Sequence, residues 1–589
     1  MKFNIFKSNY SWNETITRLN SEQYDEIKER VIEDIYYEFD PIQFPVHEIG
    51  EDEELASISI KVFIKRKIKT ASEWQFLFSN ILNNELDDFM PMETHTFDGI
   101  LMIKNNNNAN GEVFLMSFGQ SFHRVNKLID PNFGIDFAER TIKKDNVKIK
   151  NVSFYQQNKL KEISNYRRKN GAIAKATESF SYISGNPELP KKYGKTINCG
   201  TGIAFNISLE LENFSKKICQ LIPDIEEALR GRILNDFPRL KILSTKSDED
   251  KDKILILDNK LLSEFIHEEK NSNIVDISLI FEIKNSLFIL DEQTSVNLFI
   301  KSNKLRTETL LIDEDNEKLN YIDVIKKFLL DNKVTDLNVV QLEISSDDAI
   351  KHILDLKDIL HAEIVYRDKK YLLQNGYWGI FNKEYFKLLN SYLTQIDLKL
   401  NKLSESAIEF EQEEESYIFK LQEKNCDDYK VVHKHFIKPI DNSFIIKGNG
   451  LELADLYHKE KNELFTVKKG IKTSLSLYSL EQSMLSIEAI SDLSSYNLSG
   501  LNKVLTTDEL KNIPFSKKAS IIWLLPLKKS DKTPINNFQH TNNVLNEKFD
   551  LKQLGSILLK NKLVSWAQFS IENKMSPTIY MECPIDLNS

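Results

Sequence analysis

Residues 450–482 read GLELADLYHKEKNELFTVKKGIKTSLSLYSLEQ. The apolar run from Leu451 to Leu456 holds Asp455 near its end, the tip HKEKNE is polar, and LFTVKKG turns apolar again. Two apolar runs joined by a short polar tip predict an antiparallel hairpin. Thr473 or Ser474 then caps an amphipathic helix whose inner side should carry Leu475, Leu477, Leu480, Met484, Leu485 and Ile487. This reading puts Asp455 on the first strand, Lys468 on the second and Gln482 on the helix that follows.

Those residue types suit phosphodiester hydrolysis. Hard dications are held by carboxylate oxygens, and an ammonium beside the attacking water or the scissile phosphate offsets the negative charge that builds there. Asp455 is the bridging carboxylate in this reading and Lys468 the ammonium. Upstream, the run EQEEESYIF supplies a helical acid, Glu414 or Glu415, and Glu415 is taken as the second metal ligand. Strand, hairpin, strand and helix with these residues resemble the core of the PD-(D/E)XK nuclease superfamily. The resemblance implies a Mg2+- or Mn2+-dependent endonuclease or exonuclease, with Gln482 where the exonuclease branch keeps a helical Gln. One position departs from the pattern. The acid two residues before the Lys is replaced by Thr466, whose hydroxyl is a poorer cation ligand than a carboxylate.

The whole chain sets the frame for this site. At 589 residues it exceeds a single core, since domains run to roughly 100–200 residues. The expected division is an N-terminal α+β domain over 1–200, a middle α+β domain over 201–400 and a nuclease-like α/β domain over 401–589. The fold class expected is therefore mixed α/β, or α+β, and multidomain, with a C-terminal restriction-endonuclease-like mixed sheet flanked by helices. Hydrophobic residues make up 41% and charged residues 28% of the chain, the balance of a globular protein and not of a disordered one. A net charge of −10 excludes a uniformly basic nucleic-acid coat but leaves room for a local basic groove. Cys199, Cys219, Cys426 and Cys583 are far apart, without a CxxC pair, which speaks against a zinc site and for a reducing compartment. No window reaches the ~18 apolar residues of a membrane span, and the start MKFNIFKSNYSWNE lacks a signal-peptide core. A cytoplasmic protein is expected.

Along the chain, residues 16–40 read as a helix ending before Pro41. THTFDGILMIKN and GEVFLMSFG form a hairpin across an Asn-rich turn. Lys161, Arg167, Arg168, Lys169 and Lys175 cluster near Tyr166 and Phe180, and basic residues interleaved with aromatics suit a phosphate backbone with exposed bases. With Lys469 and Lys472 beside the hairpin, they are the candidate nucleic-acid contacts, for DNA ahead of RNA. His123 beside Arg124 has no nucleophile partner in the sequence and reads as structural. GKTINCGTG lacks the spacing of a phosphate-binding loop. TKSDEDKDK at 245–253 reads as a surface loop. AEIVYRDKKYLLQNGYWGIFNKEYF reads as two strands around an Arg-Asp-Lys-Lys turn, then Asn-Gly, then a helix. Near the C-terminus ASIIWLLPLK is a buried strand, LKQLGSILLKNKL a helix and VSWAQFSIEN a closing strand.

Read end to end, the landmarks KRKIKTASEWQFLF, FLMSFGQSFHRV with FGIDFAERTI, KKYLLQNGYWGIFNKEYF and LADLYHKEKNELFTVKKG resemble a bacterial "sporadically distributed" family of large proteins with a domain of unknown function. The patchy occurrence of that family implies antiviral defence against phage or foreign DNA. Two alternatives stand beside a nuclease: a catalytically inactive nucleic-acid-binding sensor or scaffold, and a protein-interaction module recognising a phage component. Expected partners are nucleic acid, a second copy of the chain or a protein encoded nearby.

Overall fold

The computed structural model describes residues 2–26, 37–38, 42–44, 58–70, 93–108, 111–119, 121–154, 161–165, 177–206, 214–244, 248–266, 274–279, 282–283, 286–287, 295–301, 303–310, 321–345, 351–403, 408–411, 414–425, 428–440, 451–469, 473–534 and 541–588. Helices and several sheets alternate, so the class is α+β. The chain separates into two compact units. One takes Met1–Ser153, Lys161–Ala174 and Ser179–Ile256, and the other takes Phe154–Leu160, Lys175–Glu178 and Leu257–Ser589.

The first unit is built on antiparallel pairing. Strand Lys2–Lys7 lies between Val113–Phe118 and Ile203–Asn206, and Ile58–Thr70 pairs along its length with Glu93–Asn105. The hairpin read from THTFDGILMIKN and GEVFLMSFG is present, with Gly99 opposite Phe118. Its inner face buries Ile100, Met102, Val113 and Leu115 against Phe6, Leu19 and Val125. The first helix begins at Trp12 and is described to Glu26, and residues 27–36 of the expected 16–40 helix lie outside the described residues. Ser11 and Glu14 exchange hydrogen bonds at its start, a reciprocal cap that fixes where the turn begins. Tyr37–Glu38 is instead a short strand beside Ile64 and Phe63. The stretch read as a loop at 245–253 also differs: Asp248 opens a helix to Ile266 with Asp248, Glu249 and Asp250 in its first turn. Three acids there complement the positive end of the helix dipole.

In the second unit, Leu360–Tyr366, Lys369–Gln374 and Tyr377–Phe381 form consecutive hairpins. Their turns, Arg367-Asp368 and Asn375-Gly376, all have positive φ, the mirror-image turn that matches strand twist. The helix Lys383–Leu393 follows, capped by Asn382, whose side chain accepts from the Tyr385 amide at 3.1 Å.

The C-terminal part of this unit carries one mixed sheet. Its elements in chain order are β1 (Asp397–Leu400), α1 (Glu414–Lys424), β2 (Tyr429–Val431), β3 (Leu456–His458), β4 (Glu463–Lys469), α2 (Thr473–Ser491), β5 (Lys518–Leu524), α3 (Ile557–Glu572) and β6 (Ser576–Glu582). The spatial order is β1-β6-β5-β4-β3-β2. β4, β5, β6 and β1 run parallel, and β3 is antiparallel to both β2 and β4. Side chains of successive strand residues face opposite ways. Phe465 and Val467 of β4 accordingly pack with Tyr417, Ile418 and Leu421 of α1, while Leu464 and Thr466 face Ser483, Ser486 and Ile487 of α2.

Two readings are corrected here. Leu475 and Leu485 are exposed on α2, and Ser476, Ser479, Ser483 and Ser486 are buried with Leu477, Leu480 and Ile487. Small hydroxyl side chains let α2 approach the sheet and α3 closely, and two indoles use them as acceptors: Trp523 Nε1 donates to Ser479 Oγ and Trp566 Nε1 to Ser483 Oγ, each at 3.0 Å. VSWAQFSIEN is the second half of α3, and the closing strand is β6. Ser556 caps α3 by accepting from Leu559 N at 3.1 Å, and Trp566, Ala567 and Ser570 continue its buried side.

Candidate metal centre

Asp455 sits at the bend between the two-residue strand Leu451–Glu452 and β3. Its backbone is tied on both sides. The amide donates to Phe465 O at 2.8 Å, and the carbonyl accepts from Val432 N at 3.0 Å and His433 N at 3.1 Å. The side chain is 1% exposed. Oδ2 accepts the Val467 amide at 2.7 Å, and Oδ1 lies 2.6 Å from His433 Nδ1. A carboxylate this buried needs such hydrogen-bond partners.

Glu452 completes the cluster. Its Oε1 is 3.0 Å from the same His433 Nδ1 and accepts the Lys434 amide at 2.6 Å. Its Oε2 accepts from Gln482 Nε2 at 3.3 Å. The donor atoms of His433, Glu452 and Asp455 all lie within 4.8 Å of one another. Hydrogen bonds to Asp455 and then Glu452 outweigh burial and raise the His433 pKa to about 9, so the imidazole is a cation between two carboxylates at neutral pH. Burial pushes Glu452 up, but His433, the Lys434 amide and the charge of Lys468 together hold it below its ordinary value. Gln482 is 6% exposed, and its Oε1 has no hydrogen-bond partner.

Lys468 enters from β4. Its Nζ donates to Glu414 Oε2 at 3.1 Å and lies 5.4 Å from the centre of the Tyr478 ring. Burial favours the neutral amine, yet the charges of Asp455 and Glu414 prevail and raise its pKa. Glu414 Oε1 also accepts the Lys469 amide at 2.6 Å, so the first turn of α1 is bound to the end of β4.

Of the residues chosen from the sequence, Asp455 belongs to the cluster, Gln482 reaches it through Glu452 and Lys468 is influenced by the charge of Asp455. Glu415 does not join them. It pairs with Lys434 at 2.7 Å, and that hydrogen bond lowers its pKa. Consecutive helix residues point about 100° apart, so only one of the two acids can face β4, and it is Glu414. Thr466 is buried on β4 and lines a cavity of about 20 Å³ with Ser483 and Ser486. Sequence reading missed His433 and Glu452. The spacing of Glu452 and Asp455 around a Leu-Ala pair was a usable signal. His433, 22 residues before Asp455, arrives only through the pairing of β2 with β3. Of the candidate nucleic-acid contacts, Arg167, Arg168, Lys169, Lys175 and Lys472 lie outside the described residues. Lys161 opens the strand Lys161–Asn165, and its side chain is likewise outside them. No helix among the described residues is long and apolar enough to cross a membrane.

A family model described as "Family of unknown function (DUF6119)" matches residues 6–536. No curated protein and no solved structure matches the chain.

Proposed function

Because the chain belongs to the DUF6119 family of unknown function, we propose its activity from the site: a metal-dependent nuclease acting on nucleic acid, DNA ahead of RNA. The observation that carries this reading is the cluster of His433, Glu452 and Asp455, with Gln482 bonded to Glu452 and Lys468 held charged by Asp455 and Glu414. The hairpin, the helix after it and the strand–helix–strand beyond follow the order implied by the PD-(D/E)XK resemblance, which supports the same reading. In the defence setting that the family resemblance implies, the substrate is phage or other foreign DNA.

The residues present fit a dication. Two carboxylates and an imidazole converge, and a buried amide oxygen beside them lacks a partner. A cation held there would lower the pKa of a water and offset phosphate charge. Glu452 supplies the second carboxylate that Thr466 does not. Val467 N–H and Lys434 N–H fix the two acids. Lys468, kept protonated by its neighbours, stabilises the charge of the phosphate in flight. Gln482 orients Glu452.

The test incubates purified protein with linear DNA and with RNA in Mg2+ and in Mn2+. Cleavage of the wild type should be lost in Asp455→Asn and Lys468→Ala, with circular dichroism unchanged. Absence of cleavage in every metal overturns the proposal. A second reading, an inactive nucleic-acid-binding scaffold, is favoured by Thr466, whose hydroxyl stands where the nuclease pattern has a carboxylate. It requires DNA binding that weakens steeply with salt, through counterion release, and no cleavage.

A further inference from the structure

We propose that the centre formed by His433, Glu452 and Asp455 selects a first-row transition-metal dication, such as Mn2+, over Mg2+. The inference rests on the hydrolytic reading above and names its cofactor.

The donor set is the first argument. A dication would release the proton of His433 Nδ1 to solvent, and the group of His433, Glu452 and Asp455 would then offer one imidazole nitrogen and two carboxylate oxygens within 4.8 Å. Mg2+ favours an all-oxygen octahedron and dehydrates reluctantly, so it keeps several waters. Imidazole is a borderline donor that suits first-row transition ions and adds little for Mg2+.

Rigidity is the second. The imidazole is not a loose neighbour that an incoming ion could leave aside. The His433 amide donates to Asp455 O at 3.1 Å, and its ring lies against both acids. Glu452 is fixed by the Lys434 amide and Asp455 by the Val467 amide. An ion that reaches the two carboxylates therefore meets the nitrogen as well.

Enclosure is the third. The side chains of His433, Glu452 and Asp455 are 15%, 18% and 1% exposed, which restricts the hydration shell that Mg2+ retains. Gln482 Oε1, buried and without a partner while its Nε2 is on Glu452, is a further oxygen beside the same carboxylate. A transition ion accepts such a mixed nitrogen and oxygen set.

The experiment is an electron paramagnetic resonance titration of the full chain with Mn2+, followed by competition with Mg2+. One bound Mn2+ is expected, displaced by half only at an excess of Mg2+ above about 100-fold. His433→Ala should bring that ratio within about tenfold, and Glu452→Gln should weaken both ions. The wild-type competition stands even if a variant fails to fold. Equal competition by Mg2+ in a protein that cleaves DNA overturns this inference and leaves the nuclease reading intact. Mn2+ bound selectively by a protein that never cleaves supports the inference and overturns the nuclease reading. Binding of neither ion overturns both.

Discussion

Glu414 accepts a hydrogen bond from Lys468 Nζ at 3.1 Å. One carboxylate of a consecutive pair thus serves the site, and the other serves the surface. Replacing Glu414 by Ala should leave a largely buried ammonium without its acceptor, costing about 1–3 kcal/mol of stability and lowering any metal-dependent cleavage. Glu415→Ala should match the wild type in both respects, because exposed ion pairs add little. Urea melts and cleavage rates on the two single variants check this, and equal effects would count against it.

The second carboxylate of the centre is Glu452. Glu452→Gln should lower Mn2+ affinity by about 10–100-fold. Thr466→Val, which removes a hydroxyl and keeps the shape, should leave affinity within about twofold, since the oxygen ligands that matter are carboxylates. Isothermal titration calorimetry with Mn2+ separates the two. A large loss in Thr466→Val would place the hydroxyl among the ligands.

Packing of α2 on α3 depends on small side chains. Ser483→Ala leaves the Trp566 indole N–H unsatisfied in a buried place, a cost of about 1–3 kcal/mol. Ser483→Leu should be worse, because it also overpacks the contact by about 1–3 kcal/mol. Leu485→Ala, at an exposed position, should stay within about 0.5 kcal/mol of wild type. Denaturant midpoints should follow that order.

Glu582 at the end of β6 gives the fold a pH dependence. Burial raises its pKa to about 7, against a partial pull downward from the Leu403 and Lys402 amides. The ordinary value is 4.5. Below that pH the group is protonated in folded and unfolded chains alike and costs nothing. From there to about 7 the unfolded chain has lost the proton and the folded one keeps it, so stability falls as pH rises, by at most about 3 kcal/mol in all. Glu582→Gln keeps an acceptor for Lys402 N and Leu403 N and removes the slope. It should equal the wild type at pH 4 and exceed it at pH 8 in thermal melts. A wild-type profile that rises between pH 4.5 and 7 would contradict the assignment.

The hairpin around residues 459–462, the strand Lys518–Leu524 and the turn at Arg367-Asp368 were legible because local chemistry decides them, whereas the strand Tyr377–Phe381 after Asn375-Gly376 was not read. Alternation, turn residues and continuous apolar runs act over a few positions. The placement of Lys468 on the second strand and of Gln482 on the helix after it was legible for the same reason, while Asp455 falls at the bend before the first strand. The inner face of α2 was legible only in part, since Leu477, Leu480 and Ile487 are buried and Leu475 and Leu485 are not. Leucine counts pointed one way, and the needs of Trp523 and Trp566 for acceptors pointed the other.

The sequence by itself determined a mixed α+β protein with a hairpin-and-helix site, since periodicity and turn chemistry are written in neighbouring residues. Tertiary structure alone decided which acids meet there. It chose Glu414 over Glu415 through the rotation of one helical turn against β4. It brought His433 to Glu452 and Asp455 through strand pairing beside a bend. Convergence of charges depends on where distant segments cross, and no local pattern records that crossing.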